Sequence, residues 1–268
     1  MQLILHIGAH RTASTLIERM LSALATAQPD LGLAVWKPAD MRAIPGFKTA
    51  PGLLNREGEP HSPKAAETFD AVREDVAARL DAAERAGVKT LLLSEENICG
   101  GMRTNFKRGR FYPAVGPRLL AFARVLGRTP ARVALGLREY GAVWNSAYGY
   151  LNRAEDTLPE PVEAAQILMD RPRGWPALVV AMREAWASSD LMVWRQEDLG
   201  AKAAAAALCD VDPAQLIDPE RQVNATGSAG GRTTELFSPA ERRKLARRYE
   251  RHVSTLLEDP NLSWAVRP

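Results

Sequence analysis

The stretch LILHIGAHRTASTLIERML, residues 3–21, decides the fold because it joins a strand, a glycine turn and a helix without a gap. Residues 3–7 form a continuous apolar run, which is typical of a strand buried on both faces of a parallel sheet. Residues 15–25 then carry leucine, isoleucine and methionine at the spacing of an amphipathic helix. A strand, a glycine turn and a helix in this order open an α/β fold.

The rest of the chain alternates strand and helix patterns and contains no internal repeat. Strands are predicted at 31–36, 88–97, 131–140 and 191–199, and helices at 65–86, 116–126, 141–151, 176–189, 202–210 and 238–259. The last helix begins with a capping box, Ser238 followed by Glu241. We therefore predict a single α/β domain over residues 1–268, with a P-loop-like three-layer fold in which helices flank a mostly parallel central sheet. The Pro- and Gly-rich stretches 38–64 and 97–115 are predicted to be irregular.

Polar clusters follow four of the predicted strands. They are GAHRTAST (8–15), SEEN (94–97), REY (138–140) and RQED (195–198). In open α/β sheets, ligands bind beyond the carboxyl ends of the strands. We therefore expect these clusters to lie along one edge and to face a common cleft.

Composition narrows the class of protein. The net charge is +3, and arginine is spread along the chain, so a few anionic groups on a small ligand explain the charge better than nucleic acid does. Cys99 and Cys209 have no Cys or His partner at metal-ligand spacing and are predicted to be small buried residues. No signal peptide and no apolar stretch of about 20 residues is present, which predicts a cytoplasmic protein without a membrane span.

The glycine turn resembles a phosphate-binding P-loop that has lost its lysine. Gly8 and Thr15 occupy the first and last positions of that motif, whereas Ala13 replaces the second glycine and Ser14 replaces the lysine. No acidic residue is clearly placed to hold Mg²⁺, so no metal site is predicted. A turn whose polar residues only cap a helix remains an alternative.

An anion-binding geometry survives these replacements. Backbone N–H groups at the start of a helix point outward and favour a negative charge. Arg11 can restore the missing positive charge, and Thr12, Ser14 and Thr15 add hydroxyl donors.

This turn resembles the 5′-phosphosulfate loop of sulfotransferases that use 3′-phosphoadenylyl sulfate (PAPS). Their loop commonly reads Pro/His-Lys-Thr/Ser-Gly-Thr-Thr after a strand, with the basic residue where Arg11 stands, and the bacterial carbohydrate-type members are the most similar. The resemblance implies that the loop binds the co-substrate through Gly8, His10, Arg11, Thr12, Ala13, Ser14 and Thr15.

Two later segments resemble the same family. In ALGLREYGAVWNSAY, Arg138 ends a strand and Ser146 follows eight residues later, which is the interval of the Arg and Ser that hold the 3′-phosphate. The loop VNATGSAGGRTTELF resembles the segment that closes over the nucleotide, and Arg232 would reach a phosphate there. A flexible linker is the alternative for this loop. The similar pieces span residues 3–251 in the family's order.

The resemblance implies an enzyme that moves a sulfuryl group from PAPS to a hydroxyl or amine and releases adenosine 3′,5′-bisphosphate without an essential metal. Arg11 would stabilise the leaving oxygen electrostatically. Glu95 is the preferred candidate for the base that takes the acceptor's proton, Glu96 is second, and Asp40 and His10 remain.

Two other functions stay open at this point. One is a P-loop kinase-like phosphotransferase, against which the missing lysine and the missing Mg²⁺ ligand count. The other is a non-catalytic nucleotide-binding protein of the same fold. For the sulfotransferase, the acceptor is expected to be a small molecule or a glycan, and the stretches 38–64 and 97–115 are its expected walls. The oligomeric state stays open.

Overall fold

A computed structural model describes residues 1–55, 58–153, 158–169, 174–217 and 235–266. In this part of the chain, six strands form one sheet with the order β2-β3-β1-β4-β5-β6, and every neighbouring pair is parallel. The strands are β1 (Gln2–His6), β2 (Leu33–Trp36), β3 (Thr90–Ser94), β4 (Arg132–Leu137), β5 (Asp190–Arg195) and β6 (Ser263–Trp264). The predicted α/β fold class is confirmed.

Ten α-helices accompany the sheet within the described residues. They are α1 (Ser14–Ala27), α2 (Pro38–Arg42), α3 (Pro63–Arg85), α4 (Met102–Arg108), α5 (Val115–Leu126), α6 (Tyr140–Arg153), α7 (Pro161–Met169), α8 (Trp175–Ala185), α9 (Ala201–Cys209) and α10 (Pro239–Leu257). None of them combines the length and the apolar character that a membrane span requires.

The two faces of the sheet are buried under separate helix layers. Along β1, Leu3 and Leu5 pack on one side and Ile4 on the other, because successive strand side chains point to opposite faces. The Ile4 side is covered by α1 and α9, and the opposite side by α3, α5 and α8 among others. Each of these leucines is at most 4% exposed, and burial of such a side chain is worth about 1.5–3 kcal/mol. The layers explain why β1 reads as a continuous apolar run.

Several local predictions are confirmed and others are wrong. The side chain of Ser238 accepts from the Glu241 N–H and Glu241 accepts from the Ser238 N–H, so the capping box of α10 exists. Cys99 and Cys209 are buried and free, as expected. The prediction of a helix over 176–189 was too long, since α8 ends at Ala185. The two-residue strand β6 was missed because it is too short to show a period.

The stretches 38–64 and 97–115 are less irregular than predicted. Within them lie α2 and α4. Proline at the first position is compatible with a helix start, and the Lys37 N–H donates to the Asp40 carboxylate at 2.8 Å to cap α2. The other helix, α4, ends at Gly109, which adopts the left-handed conformation with φ 55°. Helices this short show too few turns for a sequence pattern.

The sheet places the four polar clusters on one edge. His6 pairs with Ser94, so β1 and β3 end at the same level, and Leu137 pairs with Arg195, so β4 and β5 end together. Because His6 also pairs with Ala134, β4 and β5 extend beyond the ends of β1 and β3 in the same direction. Because the strands are parallel, the segments that follow them all leave from that edge. The predicted common edge is therefore confirmed.

Candidate functional site

The loop between β1 and α1 is anchored to the neighbouring strand β4. The Gly136 N–H donates to the Gly8 carbonyl at 2.7 Å, and the Ile7 N–H donates to the Ala134 carbonyl at 3.0 Å. Gly136 must be glycine for this approach, because a Cβ there would lie 2.9 Å from the hydroxyl oxygen of Thr12. These contacts fix the position of the loop relative to the edge of the sheet.

Two residues of the loop adopt an uncommon backbone conformation. Arg11 has φ 66° and Ala13 has φ 65°, which is the left-handed region that side chains rarely occupy. Where residues in the left-handed conformation alternate with residues in the right-handed helical conformation, the backbone is concave and its N–H groups converge on an anion. Within the described part of the chain, no acceptor is bonded to the N–H groups of residues 12–15. The start of α1 is thus a cradle for negative charge.

The predicted hydroxyl donors have different roles in the geometry. Thr12 is fully buried and donates to the Ala9 carbonyl at 2.6 Å. Ser14 is also buried, and its hydroxyl donates weakly to the same carbonyl at 3.4 Å. Thr15 lies exposed in the first turn of α1. Two hydroxyls therefore hold the loop's shape, and the third faces outward.

Arg11 meets two other residues expected to bind anionic groups, Arg138 and Ser146, which lie 127 and 135 residues further along the sequence. The Arg11 Nε donates to the Ser146 hydroxyl at 2.8 Å, across 135 residues. The Arg138 Nη1 donates to the Arg11 carbonyl at 2.6 Å. Arg138 follows β4 and Ser146 lies on α6, so two further elements meet the loop here.

This meeting point concentrates positive charge away from bulk water. Burial lowers the pKa of the Arg11 guanidinium, the nearby Arg138 lowers it further, and Glu96 acts in the opposite direction. Burial also lowers the pKa of Arg138. The Arg11 guanidinium lies 5.3 Å from the centre of the Tyr150 ring, whose face attracts a cation. Two half-buried guanidinium groups in such proximity favour an anion between or beside them.

His10 is held inside the protein on the other side of the loop. It is 4% exposed, and burial lowers its pKa to about 4. The Tyr112 hydroxyl accepts from the His10 backbone N–H at 3.0 Å and lies 2.8 Å from Nδ1. Since that hydroxyl donates its hydrogen to Nδ1, the proton of the neutral ring is on Nε2, which points to the Asn97 side-chain oxygen at 3.4 Å. His10 is therefore a neutral anchor of the loop in this arrangement.

The two adjacent glutamates after β3 face different surroundings. Glu95 is 2% exposed and accepts from the Arg42 Nε at 3.2 Å and from its Nη2 at 3.1 Å. The Asn97 backbone N–H and side-chain amide also donate to Glu95, at 3.0 and 2.8 Å. The Glu95 carboxylate is thus engaged on both oxygens by a bidentate ion pair and a turn.

Glu96 lies against the loop and is half-buried. It is 29% exposed, and its Oε1 is 3.7 Å from the Nε2 of His10. A Cβ at Gly8 would come within 3.0 Å of the Glu96 Cβ, so the glycine allows this approach. Desolvation, with the adjacent Glu95 carboxylate second, raises the pKa of Glu96 to about 7. A carboxylate with such a pKa is matched to accepting a proton near neutral pH.

A buried chain of polar groups, which was not predicted from the sequence, lies behind the loop. The Ser94 hydroxyl donates to the Glu18 Oε1 at 2.7 Å and lies 3.0 Å from the Nδ1 of His6. Burial raises the pKa of Glu18 to about 7 and lowers that of His6 to about 4. A signal for Glu18 existed, since it shares the buried stripe of α1 with Ile17 and Leu21.

Arg42 and Tyr112, which hold Glu95 and His10, were also missed, and no local pattern marks them. Asp40, a candidate base, caps α2 instead through its bond from the Lys37 N–H. Arg232 lies outside the described residues, so its predicted contact stays a prediction. The described residues contain no group of three or more His, Cys, Asp or Glu side chains arranged to hold a metal ion.

Comparison of the chain with protein-family models, with curated proteins and with solved structures finds no match.

Proposed function

We propose that the protein is a PAPS-dependent sulfotransferase whose co-substrate lies along the loop and over the start of α1. The meeting of Arg11, Arg138 and Ser146 carries this proposal. Arg11 comes from the loop, Arg138 and Ser146 come from one later stretch of sequence, and hydrogen bonds of 2.8 and 2.6 Å join the two stretches. A nucleotide that carries two anionic groups on one ribose, at the 3′ and 5′ oxygens, fits a loop cradle next to such an arginine pair.

Different residues bind the two anionic groups of the co-substrate. The loop N–H groups and Arg11 bind the 5′-phosphosulfate, while Arg138 and Ser146 bind the 3′-phosphate. Within the described residues, the Arg138 guanidinium has one hydrogen bond, to the Arg11 carbonyl, so most of its donor fork is available to a phosphate.

The transfer requires a charge stabiliser and a base. The acceptor oxygen or nitrogen forms a bond to sulfur while the bond from sulfur to the nucleotide's phosphate oxygen breaks. Arg11 stabilises the negative charge that develops on that oxygen. Glu96 takes the acceptor's proton, because it is the more accessible of the two glutamates beside the loop, whereas Glu95 is engaged by Arg42. The products are the sulfated acceptor and adenosine 3′,5′-bisphosphate.

Calorimetric titration with adenosine 3′,5′-bisphosphate tests the proposal. Binding is expected without Mg²⁺, and Arg138→Ala is expected to weaken it about 10- to 150-fold, the worth of hydrogen bonds to a charged group. Arg85→Ala is the matched control, because Arg85 is exposed at the end of α3 that leads into the amino end of β3. It removes the same charge from the opposite edge of the sheet.

The same titration with ATP discriminates between the functions. Preference for ATP with Mg²⁺ would replace the proposal with a kinase-like phosphotransferase. If adenosine 3′,5′-bisphosphate binds and Arg138→Ala leaves its affinity unchanged, the arginine pair does not form part of the nucleotide site. Binding without any transfer from PAPS to a broad acceptor panel would favour the non-catalytic nucleotide-binding protein.

A further inference from the structure

His10 is the middle member of a row of three side chains that leads from the core to the proposed base, and we call this row the Tyr112–His10–Glu96 chain. The Tyr112 hydroxyl lies 2.8 Å from the Nδ1 of His10. On the far side of the same ring, the Oε1 of Glu96 lies 3.7 Å from Nε2. The exposed fraction rises from 1% at Tyr112 and 4% at His10 to 29% at Glu96. The chain therefore connects a hydroxyl fixed in the core with a carboxylate that solvent can reach.

Two contacts determine which nitrogen of His10 carries the proton. The Tyr112 oxygen accepts from the His10 backbone N–H at 3.0 Å, so its own hydrogen is left for Nδ1. Burial raises the pKa of Tyr112 well above its ordinary value, so the phenol keeps that hydrogen at neutral pH. On the other side of the ring, the Asn97 side-chain amide donates to Glu95 at 2.8 Å, which turns its oxygen towards His10. Both contacts require that Nδ1 be an acceptor and Nε2 a donor.

The Nε2–H group of His10 lies between two acceptors. It is 3.4 Å from the Asn97 side-chain oxygen and 3.7 Å from the Oε1 of Glu96. Both distances exceed the roughly 3.0 Å of an ordinary N–H···O hydrogen bond, and a side-chain movement of less than about 1 Å would complete either bond. Hydrogen bonds to a charged acceptor are about twice as strong as neutral ones. The bond to Glu96 is therefore favoured when Glu96 is ionised, and the bond to Asn97 when Glu96 is protonated.

We propose that Tyr112 and His10 are positioning residues for the base: Tyr112 holds the proton of His10 on Nε2, and this N–H group stabilises and orients the ionised carboxylate of Glu96. The inference rests on the proposed sulfotransferase function, since that function makes Glu96 the base. With Oε1 turned to His10, Oε2 is left to take the acceptor's proton. His10 itself stays neutral in this role, because burial lowers its pKa to about 4.

Other charged groups also act on the ionisation of Glu96, and a test must leave them in place. Desolvation, with the Glu95 carboxylate second, disfavours the charged form, whereas Arg11 in the loop and Arg42 on α2 favour it. Glu18 on α1 repels the same carboxylate. A substitution at His10 removes none of these groups. A change in the titration of Glu96 after such a substitution therefore measures the contribution of the Nε2–H donor.

NMR of the ring nitrogens tests the first half of the inference on the unaltered protein. The full chain is labelled with isotope-enriched histidine and contains four histidines, so a His10→Gln variant assigns the signals of His10. From pH 6 to pH 8, without nucleotide, we expect the proton on Nε2 and a hydrogen-bonded, unprotonated Nδ1. A proton on Nδ1 of the wild type overturns the proposal, and so does an Nδ1 resonance that Tyr112→Phe leaves unchanged.

NMR titration of the Glu96 carboxyl group tests the second half. His10→Met fills the space of the ring without a donor, whereas His10→Gln restores an N–H group near the position of Nε2, so the two variants form a matched pair. The midpoint of the Glu96 titration is expected to rise by about one pH unit in His10→Met. In His10→Gln it is expected to stay close to the wild-type value. Equal midpoints in all three proteins overturn the proposal.

These measurements need no co-substrate, so the inference and the proposed function can fail separately. If both variants weaken adenosine 3′,5′-bisphosphate binding equally and leave the Glu96 midpoint unchanged, His10 only holds the loop and the inference is overturned. If the midpoint moves as expected but the wild type transfers no sulfuryl group from PAPS, the function is refuted and the contact to Glu96 is supported. In PAPS turnover, a rise of kcat/KM that moves to higher pH in His10→Met and returns in His10→Gln supports both.

Discussion

Replacement of Glu18 by glutamine is expected to stabilise the protein above pH 7 and to have a much smaller effect near pH 5. Glu18 is 6% exposed, and burial raises the pKa of its carboxyl group from 4.5 to about 7. When the folded-state pKa lies above the unfolded value, the stability that the group contributes is fully present below the unfolded pKa. It is lost as the pH rises from 4.5 through about 7. A glutamine side chain does not ionise, so its contribution to stability does not change over this pH range.

The size of the effect follows from the two pKa values. A rise from 4.5 to about 7 corresponds to about 3 kcal/mol in the free energy of unfolding once the pH exceeds both values. This is an upper limit, because the nearby carboxylates Glu95 and Glu96 share in raising the pKa. Between pH 5 and pH 8, the advantage of the glutamine variant over the wild type should grow by about 2 kcal/mol. That is a substantial part of the stability of an ordinary protein.

Urea-induced unfolding of the full chain at pH 5, 6, 7 and 8 measures this difference. The glutamine side-chain oxygen can still accept from Ser94, and any cost of placing its NH₂ group is the same at every pH, so the change with pH isolates the titration. Glu74→Gln, at an exposed position of α3, is the matched control. A difference between Glu18→Gln and wild type that stays constant from pH 5 to pH 8 would refute the reasoning.

Three further results are expected. In PAPS turnover, kcat/KM should rise with pH through about 7, as the proposed base Glu96 loses its proton. Glu96→Gln should lower the rate by a factor of about 10²–10⁴, and an unaltered pH profile in this variant would exclude Glu96 as the base. Arg42→Ala should lower the free energy of unfolding by about 2 kcal/mol, because it leaves the Glu95 carboxylate buried without its partner; urea unfolding equal to wild type would contradict this. Gly136→Ala, whose Cβ would crowd Thr12, should weaken adenosine 3′,5′-bisphosphate binding by about tenfold, and unchanged affinity in calorimetry would show that the loop tolerates displacement.

The sheet could be predicted because its strands carry their own signals. A strand buried on both faces must be apolar throughout, so β1 is visible as an uninterrupted run. Parallel strands send the following segments to one edge, so the polar clusters could be assigned a common location. Arg138 and Ser146 were identified by the resemblance to a known family, whose eight-residue interval they match.

The partners of the site residues could not be predicted, because they come from distant elements. Tyr112 reaches His10 across 102 residues, and Arg42 reaches Glu95 across 53. Neither belongs to a periodic pattern, so no local rule marks it. Glu95 was ranked above Glu96 as the candidate base from strand-end position alone. That position does not show which of the two carboxylates an arginine will engage. Glu18 is the exception, since an acid in an apolar helical stripe is itself a signal.

The central position of β1 has a consequence for the synthesis of the protein. Its hydrogen-bonding partners β3 and β4 are encoded far downstream, ending at Ser94 and Leu137. At roughly 5–20 residues per second, the ribosome needs on the order of ten seconds to produce the first of them. During that interval an apolar strand with both edges unpaired emerges into a crowded solution, where it can pair with other nascent chains. We expect the yield of protein in cells to depend on chaperones that bind the first 90 residues, even though the finished molecule buries every residue of β1 except Gln2.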